Sequence, residues 1–281
     1  MASPQGVTGS TMPRRQLGRH LRDLRNQARM TTRTAASKLE WSEAKIWRIE
    51  TGQTSLRSLD VEAMCKVYGA PADLVEPLAA LARETKARGW WTTYGDVIPE
   101  GFEVYIGLEE AATGLSIYDN GLVPALLQTE DYTRALLEQS VPGLTEADLE
   151  RRLRVLQARQ ALITREEAPL RLHVVLTESV LSGRVGDDRV GAAQRARLRE
   201  LGERDNIRIQ VLPGDAGYHA GLESGRFVIL DFGVDGSLDR PEPSVVFVET
   251  FAGSAYLDKA AEHERYRGAF VDIAAAATDT P

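Results

Sequence analysis

The first third of the chain carries apolar side chains at helical spacing, in five blocks. Leu17, Leu21 and Leu24 recur every three or four residues within 14–29 and form the apolar stripe of a first helix. The same periodicity continues in segments 32–39, 43–51, 59–68 and 71–88, with short polar or Gly-containing breaks between them. The pattern predicts five short helices. The polar face of the first is predicted to place four cations on the outer surface: Arg15, Arg19, Arg22 and Arg25.

A tight turn separates the second and third predicted helices. Ser42 supplies an N-cap oxygen for the third helix, and Gly52 closes it as a C-cap. Since Ile46 and Ile49 face the core, the outward side chains of the third helix are Glu43, Ala44, Lys45, Trp47 and Arg48. Two cations beside short side chains suit a helix that approaches base edges in a DNA major groove.

Three short motifs accompany this arrangement: Leu-Arg-Asp-Leu-Arg at 21–25, Ala-Ala at 35–36 and Ile-Trp-Arg-Ile-Glu-Thr-Gly at 46–52. Together they resemble the Cro/repressor-type, or Xre, helix-turn-helix of bacterial and phage regulators. Ala35 stands where that family usually has Leu, and Glu40 stands where it usually has Gly. Because a left-handed Glu costs about 1 kcal/mol, we expect a variant of the turn that avoids this conformation.

The predicted helix-turn-helix also indicates which side chains contact DNA. Base contacts are predicted for Glu43, Ala44, Lys45 and Arg48, with Arg48 on a guanine edge and Glu43 on a cytosine amino group. Phosphate contacts are predicted for Thr32, Arg33, Gln53 and Thr54. The alternative is a plain helical hairpin whose exposed cations form a solvated face.

From residue 170 onward the apolar period changes from helical spacing to two. Alternation at 170–176 and 207–211 predicts two strands, and 225–232 and 244–250 add two more. Helices are predicted at 106–118, after an N-cap at Thr129, at 145–165 with Thr145 as its cap, at 190–204 and at 258–277. The expected fold is therefore mostly α, with an N-terminal five-helix helix-turn-helix domain and an α+β second domain that combines helices with a mixed sheet of about four strands.

Domain limits follow from the breaks in these patterns. Residues 1–13 lack periodicity and are predicted to be a flexible tail, followed by a DNA-binding domain at 14–88. A second domain is predicted at 89–277, with a short tail at 278–281. No apolar run is long enough for a membrane span, and the N-terminus lacks a signal-peptide core, so the expected location is cytoplasmic, with nucleoid association when bound to DNA.

Charge is divided unevenly between these regions. Residues 1–89 hold 15 Lys and Arg against 9 Asp and Glu, a net charge of +6, while the remainder carries −13. A positive domain neutralises phosphates, whereas an acidic one is repelled by them. The overall charge of −7 therefore combines a basic DNA reader with an acidic second domain.

The sequence contains no recognisable catalytic constellation. Gly-x-Ser-x-Gly, His-Glu-x-x-His and phosphate-binding Gly-rich motifs are absent, and the single cysteine, Cys65, fits neither a disulfide nor a zinc site. We therefore expect no enzyme activity, no metal and no cofactor. A small-molecule pocket near Trp90, Trp91 and His219 is one hypothesis, with a structural role for these residues as the alternative.

The second half also contains motifs that occur together: Trp-Trp at 90–91, Pro124 through Tyr132, Gly-Tyr-His-Ala-Gly at 217–221 and Val-Glu at 248–249. They resemble the C-terminal domain, of unknown function, of actinobacterial Xre-type regulators. This resemblance implies an antitoxin-like, autoregulatory protein with a small partner protein encoded nearby. We predict a sequence-specific repressor that binds double-stranded DNA at a near-palindromic operator as a homodimer. The alternative is a regulator whose C-terminal domain senses a metabolite.

Overall fold

The computed structural model describes residues 11–233, 242–251 and 253–279. These residues form two compact units. The first contains 11–93 and 101–111, and the second contains 94–100, 112–233, 242–251 and 253–279. The fold class is confirmed: a helical N-terminal domain precedes a domain with a mixed sheet and helices. Among the described residues, no helix combines the length and the apolar character needed to cross a membrane.

The described residues of the first unit form six α-helices. Their bounds are α1 (Thr11–Gln27), α2 (Thr32–Leu39), α3 (Glu43–Glu50), α4 (Ser58–Tyr68), α5 (Ala72–Glu84) and α6 (Phe102–Ala111). A 3-10 turn follows α5 at Trp90–Tyr94, and its last residue, Tyr94, is assigned to the second unit. Leu17, Leu21, Ile46, Met64 and Leu78 form the centre of the core of the first unit, each at most 1% exposed. The apolar stripes of α1 to α5 converge there, as the helical spacing predicted.

The boundaries of this unit differ from the predicted ones at both ends. The first helix begins at Thr11, so residues 11–13 of the predicted tail are helical, while residues 1–10 lie outside the described part. At the other end, α6 belongs to the first unit although it lies beyond the predicted limit at 88. Gly107 of α6 lies directly against Thr11 and Trp91, where a Cβ atom would come within 2.2 Å of Thr11 Oγ1.

The second unit is organised around seven described strands. They are β1 (Gly114–Asp119), β2 (Arg171–Thr177), β3 (Ile207–Leu212), β4 (Phe227–Asp231), β5 (Val245–Thr250), β6 (Gly253–Leu257) and β7 (Thr278–Asp279), in the sheet order β6-β5-β4-β1-β2-β3-β7. Strands β1, β2 and β3 are parallel neighbours, and the other pairings are antiparallel. The predicted mixed sheet is present with more strands than the four that alternation indicated.

Helices connect and cover this sheet. They are α7 (Glu130–Ser140), α8 (Glu146–Thr164), α9 (Glu178–Ser182), α10 (Asp188–Gly202), α11 (Gly221–Ser224) and α12 (Ala260–Ala276), with a 3-10 turn at Ala125–Leu127. Phe270 and Ile273 of α12 pack on a sheet face formed by Tyr118, Val175 and Phe227. Thr129 and Thr145 cap α7 and α8 through their hydroxyl groups, as is usual for threonine at an N-cap.

Two predictions in this unit were wrong. Residues 114–118 form strand β1 rather than the end of a helix. All six residues of Gly114–Asp119 are buried, so burial does not alternate along this strand as it does along a half-buried one. Residues 278 and 279 of the predicted tail form β7, which pairs with Val211 and Gln210 of β3. Residues 280–281 lie outside the described part.

Candidate nucleic-acid interface

Capping hydrogen bonds determine where α2 and α3 begin and how the chain turns between them. Thr31 Oγ1 accepts a hydrogen bond from the Thr34 amide at 3.1 Å, and Ser42 Oγ accepts one from the Lys45 amide at 3.2 Å. Between the helices, Glu40 is left-handed, with φ 56° and ψ 37°, so the expected avoidance of this conformation was wrong. The Trp41 amide donates to the Ala36 carbonyl at 2.9 Å, and this helix-closing bond offsets the strain at an exposed residue.

The C-terminal end of α3 has a complete glycine cap. Gly52 has φ 72°, its amide donates to Ile49 O at 3.0 Å, and the Gln53 amide donates to Arg48 O at 2.8 Å. This pair of bonds is the Schellman arrangement, which satisfies carbonyls that a helix end leaves open. Ile46 and Ile49 are at most 1% exposed, so α3 is fixed in the core along one side and at both ends.

A buried ion pair joins α1 to the last residue of α3. Arg25 Nε lies 2.6 Å from Glu50 Oε1, and a second Arg25 nitrogen donates to Glu50 Oε2 at 2.8 Å; the side chains are 12% and 5% exposed. The hydrogen bonds to Glu50 raise the pKa of Arg25. The prediction that Arg25 lies on the outer surface was wrong.

Burial raises the pKa of the neighbouring Tyr68, whose hydroxyl has no hydrogen-bond partner among the described residues.

The outward surface of α3 carries four exposed side chains: Glu43, Ala44, Trp47 and Arg48. The guanidinium of Arg48 forms no ion pair within the described part of the chain. Lys45, also predicted to read bases, is half-buried, and its Nζ lies 3.3 Å from the centroid of the Trp41 ring in a cation–π contact. Arg48 is thus the cation of α3 that is available to a guanine edge.

Two of the residues predicted to contact DNA form an ion pair with each other. Arg33 Nε lies 2.9 Å from Glu43 Oε1, with both side chains exposed, and this hydrogen bond raises the pKa of Arg33. Because both side chains are exposed, solvent screens this ion pair and it contributes little to stability. The assignments of Arg33 to a phosphate and of Glu43 to a base stay predictions.

The remaining predicted phosphate contacts lie at the two ends of the helix-turn-helix. Thr32 is half-buried at the start of α2, Gln53 is exposed after the cap of α3, and Thr54 Oγ1 lies 3.5 Å from Ser55 O. Their assignments stay predictions. They share with Arg33 a position at a helix end, where amides and short polar side chains commonly bind phosphate.

The three residues of the predicted ligand pocket have separate structural partners. Trp91 is 4% exposed in the first unit, packed beneath Gly89 and Gly107, and the indole N–H of Trp90 donates to Glu110 Oε2 at 3.0 Å. His219, in the second unit, lies edge-on to Tyr118, with ring centroids 6.2 Å apart. These contacts fit structural roles, and the ligand-sensing alternative stays a prediction.

Gly18 allows α1 to pass close to the end of α3. A Cβ atom at this position would lie 2.3 Å from the Ile49 carbonyl oxygen, a backbone atom that cannot rotate away. We expect Gly18→Ala to lower the free energy of unfolding of the first unit by about 1–3 kcal/mol, measured by urea titration. Gly268→Ala in α12, where no atom lies within 4 Å, is the control and should not destabilise. An unchanged stability in Gly18→Ala would contradict the close approach.

Comparisons with known families agree with this architecture. A model described as a helix-turn-helix domain matches residues 16–78, and a model described as domain of unknown function (DUF5753) matches residues 102–280. No curated protein and no solved structure matches the chain significantly. Within the described residues, no group of three or more His, Cys, Asp or Glu is placed to hold a metal ion.

The helix-turn-helix domain indicates a DNA-binding regulator. The chain belongs to the DUF5753 family, whose model covers more than half of its length. Of the two resemblances in the sequence, the helix-turn-helix and the C-terminal domain of unknown function are confirmed, while the Xre subtype and the actinobacterial type stay predictions.

Proposed function

We propose that this protein is a sequence-specific transcriptional repressor that reads DNA with α3. The observation that carries the proposal is the outward surface of α3. Arg48 lies there without an ion-pair partner among the described residues, beside the small side chain of Ala44. Ile46, Ile49, two caps and the Arg25–Glu50 pair hold the helix behind this surface. Rigid support of this kind favours base reading, because reading requires a fixed orientation.

The length of α3 supports a dimer. Eight residues rise about 12 Å along a helix axis, so one copy reaches base edges over only a few base pairs. A longer site requires two copies, and a two-fold dimer reads a near-palindrome with half-sites about one DNA turn apart. We assign dimerisation to the second domain, whose acidic character makes it unsuited to contact phosphates.

Selection from a random duplex library tests this proposal without assuming an operator. The full-length protein should enrich a near-palindromic sequence and bind it, by fluorescence anisotropy, at least about a thousandfold more tightly than scrambled DNA. Affinity should fall as salt rises, because phosphate contacts release counterions. Failure to enrich any sequence, with equal binding to both duplexes, would reject a sequence-specific regulator. A reporter gene behind the selected site then separates repression from activation.

Arg48→Ala should weaken binding to the selected duplex by about 1–3 kcal/mol, with a relaxed preference at one base pair. The reason is the loss of a bidentate contact to guanine O6 and N7. Anisotropy on the selected duplex and its single-base variants measures the effect. Arg83→Ala is the control, because Arg83 is exposed on α5 and paired with Glu76. Equal losses in the two variants would show a general charge effect and remove the assignment.

We propose a second role for the acidic domain, capture of a small partner protein encoded nearby, with an antitoxin-like, autoregulatory outcome. The charge of −13 beyond residue 89 supports protein binding over a second DNA contact, and this role requires no catalytic step. The test measures DNA affinity with and without the neighbouring gene product. If the sites are coupled, DNA must change partner affinity by the same factor. Failure of the two proteins to bind would reject this role.

A further inference from the structure

Trp47 is an exposed large apolar side chain on the outward surface of α3. It is 54% exposed, whereas Ile46 and Ile49, the other large apolar residues of α3, are at most 1% exposed. Leaving an indole in water forgoes the burial of one of the largest apolar side chains. Its position on α3 therefore points to a surface that becomes covered when the helix binds its target.

Helical geometry places Trp47 among the side chains proposed to read DNA. Residues four apart lie above one another on a helix, so Trp47 lies next to Glu43 in one row and Arg48 lies next to Ala44 in the adjacent row. The Thr51 hydroxyl donates to the Trp47 carbonyl at 2.7 Å, in addition to the Thr51 amide at 3.0 Å. The backbone that presents the indole is thus held in place.

We propose that Trp47 is a specificity-determining residue that contacts the C5-methyl group of a thymine in the major groove. The inference rests on the proposed DNA-binding function and deepens it. Among the groups that base pairs expose in the major groove, the thymine methyl is the apolar one. An indole matches this group in chemistry, because its surface is carbon except for a single N–H donor. Lys45 lies against the Trp41 ring, so Trp47 is one of the four side chains that α3 exposes on its outward surface.

The experiment replaces each thymine of the selected duplex, one at a time, with deoxyuridine, which removes only the methyl group. Wild-type full-length protein should lose about fourfold in affinity at one thymine per half-site, the equivalent of one buried methyl group. Trp47→Ala should bind the intact duplex about tenfold more weakly and show no further loss with deoxyuridine at that position. Trp47→Phe should retain most of the methyl dependence, because it keeps an apolar ring.

Leu59→Ala is the matched control. Leu59 is 73% exposed on α4 of the same unit, so its removal also deletes an exposed apolar side chain, yet DNA affinity should not change. Circular dichroism checks that all variants fold. Because Trp47 is exposed, its removal should leave the core intact.

Four other results would overturn the proposal. An equal loss on selected and scrambled duplexes, without dependence on any methyl group, would place Trp47 against the sugar-phosphate backbone. A change of oligomeric state in Trp47→Ala, with no methyl dependence, would place it in a protein interface. If the selected duplex requires Arg48 but deoxyuridine has no effect at any thymine, the DNA-binding function stands and the assignment of Trp47 fails. Failure of the wild type to select any duplex would reject both.

Discussion

Replacing Glu50 with Ala is expected to lower the free energy of unfolding of the first unit by about 3–5 kcal/mol. The substitution leaves the Arg25 guanidinium buried without its carboxylate, since the Arg25 side chain is only 12% exposed. The Arg25 side chain also donates to the Met30 carbonyl at 2.7 Å, so it cannot leave for solvent without giving up this hydrogen bond. An uncompensated buried charge is among the most costly single changes in a core.

Urea titration followed by tryptophan fluorescence measures this effect selectively. All four tryptophans of the chain, at positions 41, 47, 90 and 91, lie in the first unit, so their emission reports its unfolding. Glu76→Ala is the control because Glu76 forms an exposed ion pair with Arg83, and its loss should cost at most about 1 kcal/mol. DNA affinity should fall with Glu50→Ala as well, since Glu50 ends α3.

The double replacement Arg25→Met with Glu50→Leu distinguishes the two possible origins of the loss. If the cost comes from an unpaired buried charge, the double variant should recover most of the stability, because apolar residues of similar volume replace a buried pair at little cost. If both single and double variants match the wild type, the pair contributes nothing and the prediction fails. A loss in the double variant as large as in Glu50→Ala would assign the cost to packing alone.

The local features of the first unit could be predicted from its sequence because they depend on neighbouring residues. The cap at Ser42 and the inward pair Ile46 and Ile49 follow from a few residues of sequence, and the structure contains both. The partner of Arg25 could not be predicted, since Glu50 lies 25 residues away and only the packing of α1 on α3 joins them. The left-handed Glu40 was missed because the hydrogen bond that closes α2, from the Trp41 amide to the Ala36 carbonyl, outweighed a residue preference of about 1 kcal/mol.

In the sheet, too, the strands with a local sequence pattern could be predicted, and those that depend on distant partners could not. Strand β2 alternates in burial at its start and was predicted, whereas β1 is buried throughout and was mistaken for a helix. β7 has two residues, too few for any periodicity, and exists because β3 offers an edge for pairing. Side chains that join distant segments carry no pattern of their own, and Gln160 and Gln194 of the second unit are the clearest cases.

These two glutamines, on α8 and α10, and Gln128 within the segment itself hold the stretch between β1 and α7. Gln128 Nε2 donates to the Val123 carbonyl at 2.7 Å, and Gln160 Nε2 donates to the Ala125 carbonyl at 3.0 Å. Gln194 of α10 is only 3% exposed; its Oε1 accepts from the Thr129 amide at 2.8 Å, and its Nε2 donates to the Leu127 carbonyl at 2.9 Å. One side chain thus satisfies two backbone groups just before α7, where no strand or helix supplies their partners.

Gln194→Ala is therefore expected to lower the free energy of unfolding of the second unit by about 2–6 kcal/mol, because it leaves two buried backbone groups without a partner and each costs about 1–3 kcal/mol. Far-UV circular dichroism in urea should show an earlier transition, while the tryptophan transition of the first unit stays in place. Hydrogen exchange of residues 125–133 should accelerate in the same variant, since the segment loses its tie to α10.

Gln139→Ala is the matched control for this substitution. Gln139 is exposed on α7 and makes one hydrogen bond, to the Ala135 carbonyl at 3.0 Å, so its loss should change stability by at most about 0.5 kcal/mol. If Gln194→Ala were as stable as Gln139→Ala, with unchanged exchange at 125–133, the segment would be held by its apolar contacts alone. A loss confined to Gln194→Ala would instead show that a buried amide, invisible to hydrophobic periodicity, fixes the link between the sheet and α7.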